Sequence, residues 1–179
     1  MYISVIIPCY NEIKTIKQIV DKVIALKNLK TQIIIIDDAS TDGTTQILKN
    51  EIEKKVSKVI YHTKNLGKGA SIRSSLKYLG GDLVIIQDAD LEYDPNDYYK
   101  LIDIFDKQKV NVVYGSRILN KKYFDFKKGI RKNYRVFGNL ILTLLSNIIN
   151  NQNLTDAHTC YKVFDAELFK QINLREKNS

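Results

Sequence analysis

Glycine and proline are scarce in this chain, at 8 and 2 of 179 residues. With 44% hydrophobic and 27% charged residues, that scarcity excludes collagen-like, low-complexity and disordered chains. Cysteine is equally sparse: Cys9 and Cys160 stand far apart and belong to no Cys-x-x-Cys pair. Both thiols are expected to be structural and reduced, which points to a cytoplasmic location. Met1 to Pro8 has no basic start and no cleavage site, so a secretory signal is not expected. The longest uncharged stretch, Val136 to Thr155, includes Asn139, Asn147, Asn150, Asn151, Gln152 and Asn153. So many amides break the apolar continuity that a bilayer core demands, and no spanning helix is expected. There is no internal repeat.

The length suits one domain with a real core. The formal charge is +8, and it is concentrated. Lys107 to Arg135 holds ten Lys/Arg against one acid, Asp125, so the remainder of the chain is close to neutral. Such a stretch points to an anionic ligand or surface nearby.

Apolar blocks and helical periodicities alternate along the chain. Ile3 to Pro8, Ile33 to Ile36, Lys58 to Tyr61, Leu83 to Gln87 and Val110 to Tyr114 read as strands, mostly buried. Between them, helical spacing covers Ile13 to Ile24, Asp42 to Lys55 and Ala70 to Leu79. A fourth helix follows Asp94-Pro95, where proline suits the first turn. Strand alternating with helix predicts a three-layer α/β fold around a mainly parallel central sheet. Ligands of such sheets sit beyond the carboxyl ends of the strands.

The segments at those ends are Pro8-Cys9-Tyr10-Asn11-Glu12, Asp37 to Gly43, Asn65-Leu66-Gly67-Lys68-Gly69, Asp88-Ala89-Asp90-Leu91-Glu92 and Gly115-Ser116-Arg117. Acids mixed with bases suit a divalent metal holding a diphosphate. Asp88 and Asp90 can both reach a hard cation through oxygen, and Glu92 extends the set. The metal would neutralise charge building on a leaving group. Two familiar nucleotide motifs are missing. Gly67-Lys68-Gly69-Ala70-Ser71 lacks the P-loop spacing, and Gly67-x-Gly69 is followed by Ile72 where a dinucleotide fingerprint needs glycine or alanine.

These segments, in this order, resemble glycosyltransferase family 2, whose members are inverting enzymes of the GT-A fold, a Rossmann-like nucleotide-sugar-binding fold. Gly115-Ser116-Arg117, Arg131 and Asp156 to Phe164 make the chain most similar to the polyprenyl-phosphate sugar transferases of the dolichyl-phosphate mannose synthase type. The likeness runs from about Ile3 to Phe169. It implies that residues 1–179 form a single catalytic domain lacking the family's C-terminal part. The donor would be a nucleoside-diphosphate sugar of the GDP-mannose or UDP-glucose type, and the cofactor Mn2+ or Mg2+. The acceptor would be a polyprenyl phosphate or, alternatively, a hydroxyl of a glycan or cell-surface polysaccharide. By the same resemblance, Pro8, Tyr10, Glu12, Ile36 and Asp38 line the nucleotide pocket, with Asp38 accepting from the base. Asp88, Ala89 and Asp90 contact diphosphate and metal. Glu92 stands where the mannose synthases commonly place Gln as a further ligand. Arg117 and Arg131 hold acceptor phosphate or donor diphosphate, and with Asp90 they form the expected catalytic set. Cys160-Tyr161-Lys162 departs from the mannose synthases, where Gly-Phe-Arg is common, and leaves the sugar unassigned.

Plainer roles compete at several positions. Asp42 and Thr44 suit a helix start, Asp37 serves either a turn or the site, and Gly67 and Gly69 are turn or phosphate glycines. Lys68 is assigned to phosphate. His62 and His158 lack metal-ligand spacing and are expected to be structural. Asp156 is a candidate base for a hydroxyl acceptor. A nucleic-acid-binding module, suggested by the pI of 9.3, lacks a zinc pattern and base-stacking aromatics, and no nucleic-acid partner is expected. An inactive scaffold is a third reading.

Val136, Phe137, Leu140, Ile141, Leu144, Leu145 and Ile148 recur at helical spacing after the basic segment. This is either an interfacial helix in peripheral contact with an anionic membrane or an ordinary helix covering the sheet. The second is the expectation for a soluble domain, with only the basic loop touching lipid.

Overall fold

The computed structural model describes residues 1–116, 130–157, 159 and 161–172, with the backbone alone for 130–137. Described residues fall into two compact units, one from Met1–Val113 and Val163–Ser179, the other from Tyr114–Lys162.

The first unit is built on a sheet. Its strands are β1 (Tyr2–Cys9), β2 (Lys30–Asp37), β3 (Lys58–Tyr61), β4 (Leu83–Ile86), β5 (Val112–Tyr114) and β6 (Lys162–Asp165). The spatial order is β3-β2-β1-β4-β6-β5. β1 pairs in parallel with β2 and β4, and β2 with β3. β6, a strand that the alternation of blocks does not predict, runs antiparallel to β4. The sheet is thus mainly parallel, as the alternation predicted. Ile3, Val5, Ile6 and Ile7 of β1 and Ile34 to Ile36 of β2 are fully buried. Continuous β-branched runs are what strands covered on both faces require.

Helices follow the strands in turn: α1 (Ile16–Ile24), α2 (Thr44–Ile47), α3 (Lys68–Ser75), α4 (Tyr98–Gln108), α5 (Ile130–Asn150) and α6 (Ala166–Gln171). α1 buries Ile16, Ile19, Val20 and Val23, while Ile13 and Ile24, also placed on that face, are exposed. The single helix expected over Asp42 to Lys55 is three pieces. α2 passes into a π-helical turn, Leu48–Ile52, and a 3-10 turn, Glu53–Lys55. Leu48 and Ile52 are buried, whereas Ile47 is only partly covered. α4 starts as expected: Asp94 accepts from the Asn96 N–H, and Pro95 occupies the first turn.

Chain order reverses at β1, which is followed by β2 on one side and flanked by β4 on the other. The crevice beyond the carboxyl ends of β1 and β4 is therefore the place where this sheet type receives ligands.

Candidate functional site

Loops after β1 and β2 are laced together. The Asn11 N–H donates to Ser40 Oγ at 2.9 Å, and Asn11 Oδ1 accepts from the Thr41 N–H at 2.8 Å. The Glu12 N–H donates to Thr44 Oγ1 at 2.9 Å, and the Thr15 hydroxyl donates to Glu12 Oε2 at 2.6 Å. Asp42 accepts from the N–H groups of Ile13 at 3.1 Å and Thr44 at 2.9 Å. Desolvation opposes ionisation of Asp42, but the Thr44 and Ile13 bonds outweigh it and hold the carboxyl below its usual range. Asp42 is thus a helix-start residue. Asp37 serves the turn, accepting from the Ser40 N–H at 3.0 Å and from the Thr45 hydroxyl.

Gly43 enters α2 at φ 102°, and a Cβ there would meet Ile13 Cδ1 at 2.8 Å. Asn11, Ala39 and Leu91 also hold positive φ, at 57°, 62° and 64°. Left-handed conformations of non-glycine residues cost about 1–2 kcal/mol each, and three of them cluster in the strand-end loops. Strain of this kind concentrates at functional sites. Beneath these loops Cys9 is buried, and burial, followed by the charges of Asp37, Glu12, Asp42 and Asp38, pushes its thiol pKa far up. The thiol is structural, as expected.

Asp38 is almost completely buried. Its Oδ1 bonds His62 Nδ1 at 2.7 Å and accepts from the Leu66 N–H at 3.0 Å. Its Oδ2 accepts from the N–H groups of Leu66 at 3.1 Å and Gly67 at 2.7 Å. His62 Nε2 in turn bonds Ser74 Oγ at 2.8 Å. Asp38 therefore shapes the loop that enters α3 at Gly67, and His62 is structural. Ile36 is fully buried inside β2. Of the remaining pocket residues, Pro8 and Glu12 are half-buried and Tyr10 is exposed.

Beyond β4, the chain turns through Asp88 to Tyr93. Asp88 is ion-paired with Lys68 from the start of α3. Ala89 is buried, so its backbone is what it can present. Asp90 is exposed, and its Oδ1 accepts from the Glu92 N–H at 3.0 Å. Fully buried Gln87 closes this turn from below. Its amide Nε2 donates to the carbonyls of Asp88 at 2.9 Å and Tyr93 at 3.4 Å. The hydroxyl of buried Tyr98 donates to Gln87 Oε1 at 2.8 Å. Ser74, Gln87 and Tyr98 received no supporting role from the sequence. Tyr98 shares helical phase with Leu101 and Ile102, a sign of burial, but nothing local reveals its partner.

Among the described residues, no three His, Cys, Asp or Glu side chains gather into a metal-binding group. The expected set of Asp88, Asp90 and Glu92 is thus not assembled by the protein alone. Asp88 and Asp90 still fit a cation that arrives with a nucleotide, because Mg2+-type ions take one or two carboxylates and complete their shell with phosphate oxygens and water. Lys68 already places positive charge against Asp88. Arg117, His158 and Cys160 lie outside the described residues, and Arg131 is described only as α5 backbone.

The family model Glycosyl transferase family 2 matches residues 4–172. The chain belongs to that family. It is 32% identical to the UDP-N-acetylglucosamine–dolichyl-phosphate N-acetylglucosaminyltransferase of Methanococcus voltae, covering 96% of this chain and 72% of the relative. To the dolichol-phosphate mannosyltransferase of Pyrococcus furiosus it is 30% identical over 83% of this chain. It spans only 43% of that relative's length. The fold is similar to a mannosyltransferase from Pyrobaculum calidifontis solved with GDP-Man and Mn2+, with a TM-score of 0.65 at 21% identity, over 96% of this chain and 46% of that one. This likeness shows the GT-A fold.

Proposed function

We propose that residues 1–179 are the catalytic domain of an inverting, metal-dependent sugar transferase. It moves a hexose from a nucleoside-diphosphate sugar, of the GDP-mannose or UDP-glucose type, to a polyprenyl phosphate. One observation carries the reading: Asp88, two residues before Asp90 in the turn after β4, is ion-paired with Lys68 at the point where strand order reverses. The names of both relatives supply the polyprenyl-phosphate acceptor.

In this reading Tyr10, Glu12 and Pro8 flank the nucleoside, while Asp88 and Asp90 hold Mn2+ or Mg2+ on the diphosphate. The bound metal supplies positive charge to the departing diphosphate. Lys68 adds a second cation on the same side by exchanging Asp88 for a phosphate oxygen. An acceptor phosphate oxygen attacks the anomeric carbon from the face opposite the leaving group. The bond to the nucleoside diphosphate breaks with inversion. That oxygen is already anionic at neutral pH, so no general base is needed. Arg117 and Arg131 are assigned to the phosphates on their sequence positions alone. A hydroxyl acceptor would need a positioned carboxylate. The candidate, Asp156, is buried and accepts from Asn139 Nδ2 at 3.1 Å, which favours the lipid phosphate. The reading includes peripheral contact with an anionic membrane surface.

Transfer is tested with GDP-mannose, UDP-glucose and UDP-N-acetylglucosamine against a polyprenyl phosphate, with Mn2+, Mg2+ or a chelator. Chelator-sensitive formation of an inverted glycosyl phosphate, read by NMR, supports the proposal. A retained anomer, or transfer only to hydroxyl acceptors, overturns it.

A further inference from the structure

Lys68 and Asp88 stand on two separately braced loops and meet through their side chains. Lys68 opens α3, and the loop before it is held by buried Asp38. Asp38 Oδ2 accepts from the N–H groups of Leu66 at 3.1 Å and Gly67 at 2.7 Å. Asn65 Oδ1 also accepts from the Gly67 N–H, at 3.2 Å. On the other side, the Asp88 carbonyl accepts from buried Gln87 Nε2 at 2.9 Å, and Tyr98 orients that amide. Between these anchored backbones the ion pair is open to water, with the Lys68 and Asp88 side chains 51% and 22% exposed. Exposed pairs of this kind add little to stability. The pair can therefore be exchanged without disturbing the backbone at either end.

Charge decides what the exchange does. Lys68 Nζ sits on Asp88 Oδ1, so an ammonium already holds an oxygen that a divalent cation would take. A cation arriving alone must displace it and then share the turn with a like charge. The turn holds such a cation weakly. Asp90 Oδ1 accepts from the Glu92 N–H at 3.0 Å, and no group of three ligand side chains gathers among the described residues. Ions of the Mg2+ type need phosphate oxygens and water beyond one or two carboxylates. A nucleoside diphosphate alters both terms. Its phosphate oxygens give Lys68 a new partner, which releases Asp88, and the same diphosphate supplies the oxygens that the carboxylates lack. Nucleotide and cation then raise each other's affinity, and Lys68 carries part of that coupling.

We propose that Lys68 is a built-in stand-in for the metal. While it is paired with Asp88 the site takes a divalent cation poorly, and a nucleoside diphosphate lifts that block by drawing Lys68 onto its phosphates. The proposal rests on the metal-and-diphosphate reading of this site and adds how the two ligands depend on each other. Mn2+ is titrated into the full chain by calorimetry, alone and with saturating GDP or UDP, for the wild type, Lys68→Met and Lys68→Arg. In Lys68→Met the affinity for Mn2+ alone is expected to rise by at least about threefold, the scale of a weak exposed pair. The gain in Mn2+ affinity that the nucleotide brings is expected to shrink by a similar factor. Lys68→Arg keeps the cation and should hold Mn2+ alone as weakly as the wild type. A merely structural role for Lys68 would leave the affinity of Lys68→Met for Mn2+ alone unchanged or lower it, and either result overturns the proposal. So does an undiminished nucleotide gain in Lys68→Met, or equal tightening in both variants. If the wild type binds Mn2+ with neither nucleotide, the proposal falls together with the reading beneath it. If the wild type binds the pair and Lys68→Met matches it in both titrations, the proposal falls alone.

Discussion

The Tyr98 hydroxyl donates a hydrogen bond to Gln87 Oε1 at 2.8 Å, and both side chains are fully buried. The bond fixes which way the Gln87 amide points. With Oε1 engaged by Tyr98, Nε2 is aimed at the carbonyls of Asp88 and Tyr93, the two ends of the turn that carries Asp90. A tyrosine on α4 thereby sets the shape of a loop it does not belong to.

Tyr98→Phe keeps the ring and removes that constraint. Disturbing a buried hydrogen bond costs about 1–2 kcal/mol, read as a lower urea midpoint at an unchanged slope. Affinity for a nucleoside diphosphate with Mn2+ should fall as well, measured by calorimetry at a temperature where the variant is folded. Unaltered affinity would show that the turn does not rely on Gln87.

His62→Ala is expected to be among the more damaging single changes outside the apolar core. It strips Asp38 of one partner and Ser74 of another, leaving buried polar atoms at a cost of about 2 kcal/mol. Hydrogen exchange at the Leu66 and Gly67 amides, which donate to Asp38, should accelerate more than exchange in β1. Uniform acceleration would argue against a local role.

Asp90→Ala should leave the fold intact, because the side chain is exposed and its described hydrogen bond is to the neighbouring Glu92 N–H. Under the proposed function, metal-dependent nucleotide binding should drop by at least about tenfold, because an ion held by one or two carboxylates would lose one of them. Asp88→Ala should do likewise, while Glu92→Ala should have a smaller effect. Calorimetry with Mn2+ present and absent separates the three.

Acid should destabilise the protein partly through Asp42. Its folded pKa is depressed by the Thr44 and Ile13 hydrogen bonds against opposing desolvation, so its contribution is complete above the unfolded value near about 3.9. The contribution is lost as pH falls through the lower folded value. In Asp42→Asn the urea midpoint should therefore vary less steeply with pH below about 4. An identical acid limb in both proteins would refute the assignment.

By itself the sequence determined the parallel core and the sheet edge at which its polar loops gather. Runs such as Ile33 to Ile36, rich in β-branched residues, read as buried strands, and polar residues immediately after them gather at one sheet edge, because parallel strands share a direction. Asp88, Asp90 and Lys68 were legible for that reason. Features that depend on contacts between distant segments were decided only by the tertiary structure. β6 enters beside β4 as an antiparallel strand because pairing, not periodicity, selects its neighbour. Asp38 bonds His62, Leu66 and Gly67, residues more than twenty positions away. Ile36 is core because a strand end inside a sheet is covered on both faces. The apolar stripe of α5 was equally visible in the sequence, but periodicity establishes a face and not its direction. That direction was set by Asn139, Thr143 and Asn147 finding hydrogen-bond partners in the segment from Leu154 to Ala157, which leaves the apolar side facing out.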